Sequence, residues 1–167
     1  MNRNKRDAMK ISILCIGKIK EKFYRDAIEE YLKRLSAYAN VSILQETDEK
    51  TKENASENEI RIVQKKEGER MLKHWDENAY HIALCIDGKK MDSVAFSKKI
   101  DRILLGRSSH IQFLIGGSLG LSEELVKKAE LKLSFSDMTF PHQLMRVILL
   151  EQIYRAQRIS HEEPYHK

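Results

Sequence analysis

Short apolar runs rich in β-branched residues alternate along this chain with longer segments whose apolar positions recur at helical spacing. That alternation leaves few folds open. Ile11-Ser12-Ile13-Leu14-Cys15-Ile16, closed by Gly17, reads as a buried strand. Over residues 21–38, Phe23, Tyr24, Ala27, Ile28, Tyr31, Leu32 and Leu35 mark one core face of an amphipathic helix. Residues 41–44 form a second strand. Residues 59–75 form a highly charged helix with sparse apolar contacts at Ile60, Val63, Met71, Leu72 and Trp75, expected to be a solvated face. A third strand, 81–86, turns at Asp87-Gly88, followed by a helix over 94–105 and a fourth strand over 111–115. A helix over 121–129 starts at Ser122-Glu123-Glu124, acids that suit the positive end of its dipole. A short strand over 131–135 comes next, and Pro141 opens the last helix where proline is best tolerated. Strands separated by helices predict a mostly parallel sheet covered on both faces, so the fold class is α/β.

The 167 residues suffice for one domain with a real core, and there is no internal repeat. Residues 1–8 are polar and patternless and read as a disordered leader, leaving 9–167 as the domain. No apolar run approaches the ~20 residues that cross a bilayer, and the basic start lacks the apolar segment of a secretory signal. The expected location is cytoplasmic, with no membrane partner. Cys15 and Cys85 sit in separate apolar runs as core thiols, and the six histidines fall at no ligand-like spacing with them, so no metal is expected. A net charge of +5 and a pI near 9.1 favour a polyanionic partner without fixing one. Residues 47–59, polar apart from Ala55, predict an exposed, mobile loop.

Ligands of open α/β sheets bind beyond the carboxyl ends of the strands. Three loops leave such ends here, after Ile86, Ile115 and Phe135. The second is Gly116-Gly117-Ser118-Leu119-Gly120, which matches neither dinucleotide nor phosphate-loop spacing but lets a flat ligand approach main chain. The third, Ser134 to Thr139, is a polar stretch between two apolar ones, either an exposed loop or a wall offering backbone N–H and C=O groups. On the last helix His142 and Arg146 share one face, while Glu151 and Arg155 lie on roughly the opposite one, four apart. A helix this apolar is expected to be buried on nearly all sides, so its arginines need a pair, a ligand or an interface. Pro164-Tyr165-His166-Lys167 reads on its own as a frayed tail.

The runs Phe113-Leu114-Ile115-Gly116-Gly117-Ser118-Leu119-Gly120 and Leu133-Ser134-Phe135-Ser136-Asp137-Met138-Thr139-Phe140-Pro141-His142, with the ending Pro164-Tyr165-His166-Lys167, resemble the trefoil-knotted RNA methyltransferases of the SPOUT class. The chain is most similar to the family that methylates N3 of a pseudouridine in large-subunit ribosomal RNA. The resemblance covers residues 9–167 and departs little; Ser118 stands where a proline is common. It implies a C-terminal deep trefoil knot, a homodimer built on the last helix, and a ribosomal RNA substrate on the assembled ribosome. It also implies S-adenosyl-L-methionine as cofactor, held at Leu84, Gly116, Phe135, Ser136, Asp137, Met138, Thr139 and Phe140. Arg155, Tyr165 and His166 would orient and activate the base while His142 supports the pocket. A non-catalytic RNA- or ribosome-binding protein and a knotted transfer-RNA methyltransferase are the competing readings.

Overall fold

Five strands and five helices alternate in a computed structural model that describes residues 9–167; the expected leader lies outside the described residues. In chain order they are β1 (Lys10–Ile16), α1 (Lys22–Leu35), β2 (Asn40–Glu46), α2 (Glu57–Leu72) and β3 (Tyr80–Lys90). Then come α3 (Ser93–Arg102), widening into a π-helical turn at Ile103–Arg107, β4 (His110–Ile115), α4 (Glu123–Lys128), β5 (Leu131–Ser134) and α5 (His142–Ser160). All strand pairs are parallel, in the order β2-β1-β4-β3-β5.

The central strands are apolar on both faces because both faces are covered. Ile11, Ile13, Cys15 and Phe113 pack against Ile28 and Leu35 of α1, Phe96 and Ile100 of α3, and Leu149, Leu150 and Ile153 of α5. On the other face Leu14, Ile16, Ala83 and Leu114 meet Met71 of α2 and Leu125 of α4. Each fully buried Leu, Ile, Met or Phe side chain among these contributes about 1.5–3 kcal/mol. Helices on both faces leave the carboxyl ends of β3, β4 and β5 side by side, so the loops leaving them converge.

Several expectations need correction. β3 does not turn at Asp87-Gly88 but continues to Lys90, slipping register against β5 between Leu84 and Lys89. Gly88 permits this, since a Cβ there would lie 2.8 Å from the carbonyl carbons of Lys132 and Leu133. The charged helix α2 is not merely solvated: Glu67, Gly68 and Met71 are buried. It starts at Glu57 through a reciprocal cap, with the Glu59 amide donating to Ser56 Oγ and the Ser56 amide to Glu59 Oε2. The loop before it is anchored where it leaves β2, by Arg70 donating to the Thr47 carbonyl at 2.7 Å and pairing with Glu49. Finally, Pro141 is the residue before the first turn of α5, and within one chain Leu144, Val147 and Ile148 of that helix remain half-buried.

A polar network fills the amino ends of the strands. Ser12 Oγ lies 2.7 Å from His110 Nε2, and His110 Nδ1 lies 2.7 Å from Asp76 Oδ2. Gln112 bonds His81 and accepts from the Asp76 amide, and Trp75 stacks on His81 with centroids 3.6 Å apart. The Ser-His-Asp order mimics a hydrolase relay, but Ser12 is 1% exposed inside the sheet and no substrate can approach it. The network satisfies buried polar groups.

Candidate active site

The stretch of β3 where its register slips and the loops leaving β4 and β5 surround a cavity of about 540 Å³, a size that suits a small ligand. Leu84, Cys85 and Ile86 form one wall, the glycine turn a second, and the loop after β5 a third, with His142 and Met145 of α5 closing it. The glycines serve geometry first. The Gly120 amide donates to the Gly117 carbonyl at 3.0 Å. A Cβ on Gly116 would sit 2.7 Å from the Gly120 oxygen, and Gly120 has φ +78°. The tight turn and the ligand wall are therefore the same object.

Of the eight positions expected at the cofactor, Leu84, Gly116, Phe135, Ser136, Met138, Thr139 and Phe140 line this cavity. The Asp137 side chain instead pairs with Lys90 in solvent. The loop holds its own shape: Ser134 Oγ donates to the Ser136 carbonyl, and Ser136 Oγ accepts from the Met138 amide. Met138 and Ile86 stay strongly exposed at the rim, apolar surface awaiting cover.

His142 is half-buried at the cavity edge, its Nε2 3.4 Å from where a Gly17 Cβ would stand. Burial first, then the Arg146 charge, pushes its pKa down, against weaker pulls from Asp48 and Glu21. Arg146, one turn on, is 1% exposed. It donates to Gln45 Oε1 at 2.9 Å and to the carbonyls of Ile16 and Gly17 at 2.8 and 2.7 Å. Desolvation lowers its own pKa. It clamps the ends of β1 and β2 beneath His142, a role its place in an apolar helix hinted at without naming partners.

Arg155, Tyr165 and His166 come together elsewhere. Arg155 donates twice to Glu151 Oε1, at 3.0 and 2.6 Å, and its Nη1 lies 3.2 Å from His166 Nδ1. Its guanidinium covers the Tyr165 ring, 4.7 Å from the centroid. Tyr165 Oη donates to the same Glu151 oxygen at 3.1 Å, and burial followed by the Glu151 charge pushes its pKa up to about 12. The tail is not frayed. Arg158 pairs with Glu163 and donates to the Pro164 carbonyl at 3.0 Å, while Tyr38 Oη donates to Glu163. Sequence reasoning missed Tyr38 and Arg158; an arginine in the last turn of an apolar helix was the available signal.

His166 borders a second cavity of about 450 Å³, with Met91, Ser93 and Gln152 among its walls. Phe135 and Phe140 line both cavities, so they adjoin. Within one chain, then, the tail cluster flanks the second cavity and His142 the first. Among the described residues no group of three or more His, Cys, Asp or Glu is placed to hold a metal ion, and no helix is long and apolar enough to cross a membrane. Both cysteines are free.

A family model described as "Predicted SPOUT methyltransferase" matches residues 9–166. A protein of Bifidobacterium adolescentis named ribosomal RNA large subunit methyltransferase H is 55% identical over 159 residues, covering 95% of this chain and all of the relative. A protein of the same name from Clostridium botulinum strain Okra is 56% identical over the same span. Among solved structures, a probable methylase family protein from Haemophilus influenzae superposes with a TM-score of 0.53 at 10% identity, covering 96% of this chain and 71% of that one. That likeness concerns the fold alone.

Proposed function

The chain belongs to the SPOUT methyltransferase family, and from that premise we propose that it methylates large-subunit ribosomal RNA at N3 of a pseudouridine, using S-adenosyl-L-methionine. The observation that carries the reading is the cavity walled by the backbone of two loops and shared, through Phe135 and Phe140, with a second cavity edged by His166. The residues present fit the cofactor: the volume suffices, Leu84, Ile115 and Leu133 offer apolar faces to a purine, and the 134–140 segment offers main-chain groups to its edge. When bound, S-adenosyl-L-methionine supplies an electrophilic methyl on a positively charged sulfur.

The chain's own residues must orient the base, accept or stabilise away its N3 proton and keep water out. His142, held neutral by burial and by Arg146, is suited to accept hydrogen bonds at the cavity edge. Arg155, fixed by Glu151, presents a constant positive charge to an anionic imide or a phosphate. Tyr165, with its pKa raised, keeps its proton and acts as a donor.

The half-buried Leu144, Val147 and Ile148 face of α5 supports a homodimer in which one subunit's tail serves its partner's cofactor cavity. Threading of the C-terminal segment into the trefoil of the class, and action in the cytoplasm on the ribosome, belong to the same proposal.

Two measurements test it. Calorimetric titration must give one S-adenosyl-L-methionine site per chain; no binding would favour a non-catalytic RNA-binding role. Mixed dimers of Gly116→Val and His166→Ala must regain activity that neither homodimer has, whereas persistent inactivity would put the tail in its own subunit's site.

A further inference from the structure

Among the described residues Glu67 is the one buried carboxylate, 4% exposed, and no ion pair joins it to a lysine, arginine or histidine. It lies on α2 directly behind the glycine turn. A Cβ on Gly117, a cavity-lining residue, would stand 3.4 and 3.5 Å from its two carboxylate oxygens. One oxygen accepts from the Glu49 amide at 3.0 Å. One turn earlier, Gln64 donates to the Leu119 carbonyl at 2.7 Å and fastens the same turn to α2 without any charge. A neutral glutamine could accept the Glu49 amide equally well. An unpaired carboxylate in this place is penalised by desolvation for no structural gain that the amide would not give.

We propose that Glu67 sets the charge preference of the cavity, favouring the sulfonium cofactor over the uncharged thioether left after methyl transfer. The inference rests on the cofactor assignment above. Transfer of the methyl removes the positive charge from the ligand while Glu67 stays in place, so product loses an attraction that substrate enjoyed, and release is favoured. Glycine at 117 lets the carboxylate approach the wall without an intervening side chain. The charges facing Glu67 agree with an anion that has no paired cation. Burial raises its pKa most, the Glu49 amide and Arg70 oppose this, and Asp48 and Glu49 add repulsion. Arg70 is itself engaged by Glu49 and the Thr47 carbonyl. A cation in the cavity would lower that pKa and expel a proton.

The test is the affinity of Glu67→Gln protein for S-adenosylmethionine and for S-adenosylhomocysteine, against wild type. A unit charge acting across a few ångströms of protein predicts a roughly tenfold loss for the sulfonium and less than about twofold for the thioether. Equal loss for both would make Glu67 a structural latch and overturn the proposal. If wild type binds neither ligand, the cofactor assignment fails and the proposal with it. Should Glu67→Gln not fold, proton release on binding is compared in His142→Gln protein, which lacks the imidazole that would give the same sign. Over the pH range in which Glu67 titrates, more protons must leave with the sulfonium than with the thioether, and equal release at every pH overturns the proposal.

Discussion

Replacing Gly88 by alanine tests whether the β3–β5 slip positions the cavity. The added methyl would lie 2.8 Å from two backbone carbons and 2.9 Å from the Leu133 nitrogen. Ordinary contact begins near 3.4 Å, so one strand must retreat by about 0.6 Å, and the obstacle is backbone that cannot rotate away. Overpacking of this kind costs about 1–3 kcal/mol. For a chain of this size that is a fall in Tm of roughly 3–10 °C. The displaced strand ends at Ser134, where the cavity loop begins. Gly88 does not line the cavity, yet kcat/KM should fall about tenfold or more, since small misplacements near reacting groups are expensive. Thermal denaturation followed by circular dichroism, with steady-state methyl transfer on the same preparation, reads both effects. A variant that melts within about 1 °C of wild type with unchanged kinetics would refute the reasoning.

Arg155→Ala should release the tail and lower kcat about 100-fold while S-adenosylmethionine affinity stays within twofold, because Arg155 lines neither cavity and meets the second through His166. A large loss of cofactor affinity would contradict that division. Asp76 is held below the usual carboxylate range, first by its bond to His110 and then by the Asn78 amide. A depressed folded pKa gives stability that is present above the unfolded value and disappears as pH falls through the folded one. Discounted for a side chain 39% exposed, Asp76→Asn should cost about 1 kcal/mol at pH 7, a difference that fades as pH falls through the depressed folded pKa; a pH-independent difference in urea unfolding would contradict this. Burial pushes the Cys15 thiol up to about 11, so it should react with a thiol reagent at pH 8 only after unfolding. Cys85, on the cavity wall, should react slowly in native protein and more slowly still with cofactor present. Native-state labelling of Cys15 as fast as Cys85 would show that β1 is accessible.

The sheet was legible because the buried residues of β1 and β4 are apolar on both faces apart from Ser12, His110 and Gln112, a pattern that a doubly covered parallel strand requires. Gly88 misled because glycine after aspartate is a turn signal locally, whereas here it answers to backbone 45 residues away. The burial of α2 was hidden for a similar reason: Glu67 and Gly68 count as polar or neutral in a hydrophobic pattern, yet both are packed against other loops. The order of the tail was invisible because it depends on Tyr38, 125 positions from its partner Glu163. Seven of the eight expected cofactor positions fall on one cavity since a loop's backbone lines a pocket whatever its side chains are. Asp137 departs because a single carboxylate in that loop finds Lys90.

The most direct measurement is methyl transfer from labelled S-adenosylmethionine to ribosomes from cells lacking this protein, with the product mapped by mass spectrometry. Label is expected at N3 of one pseudouridine in large-subunit RNA. Label confined to transfer RNA, or no label from protein that binds the cofactor, would contradict it.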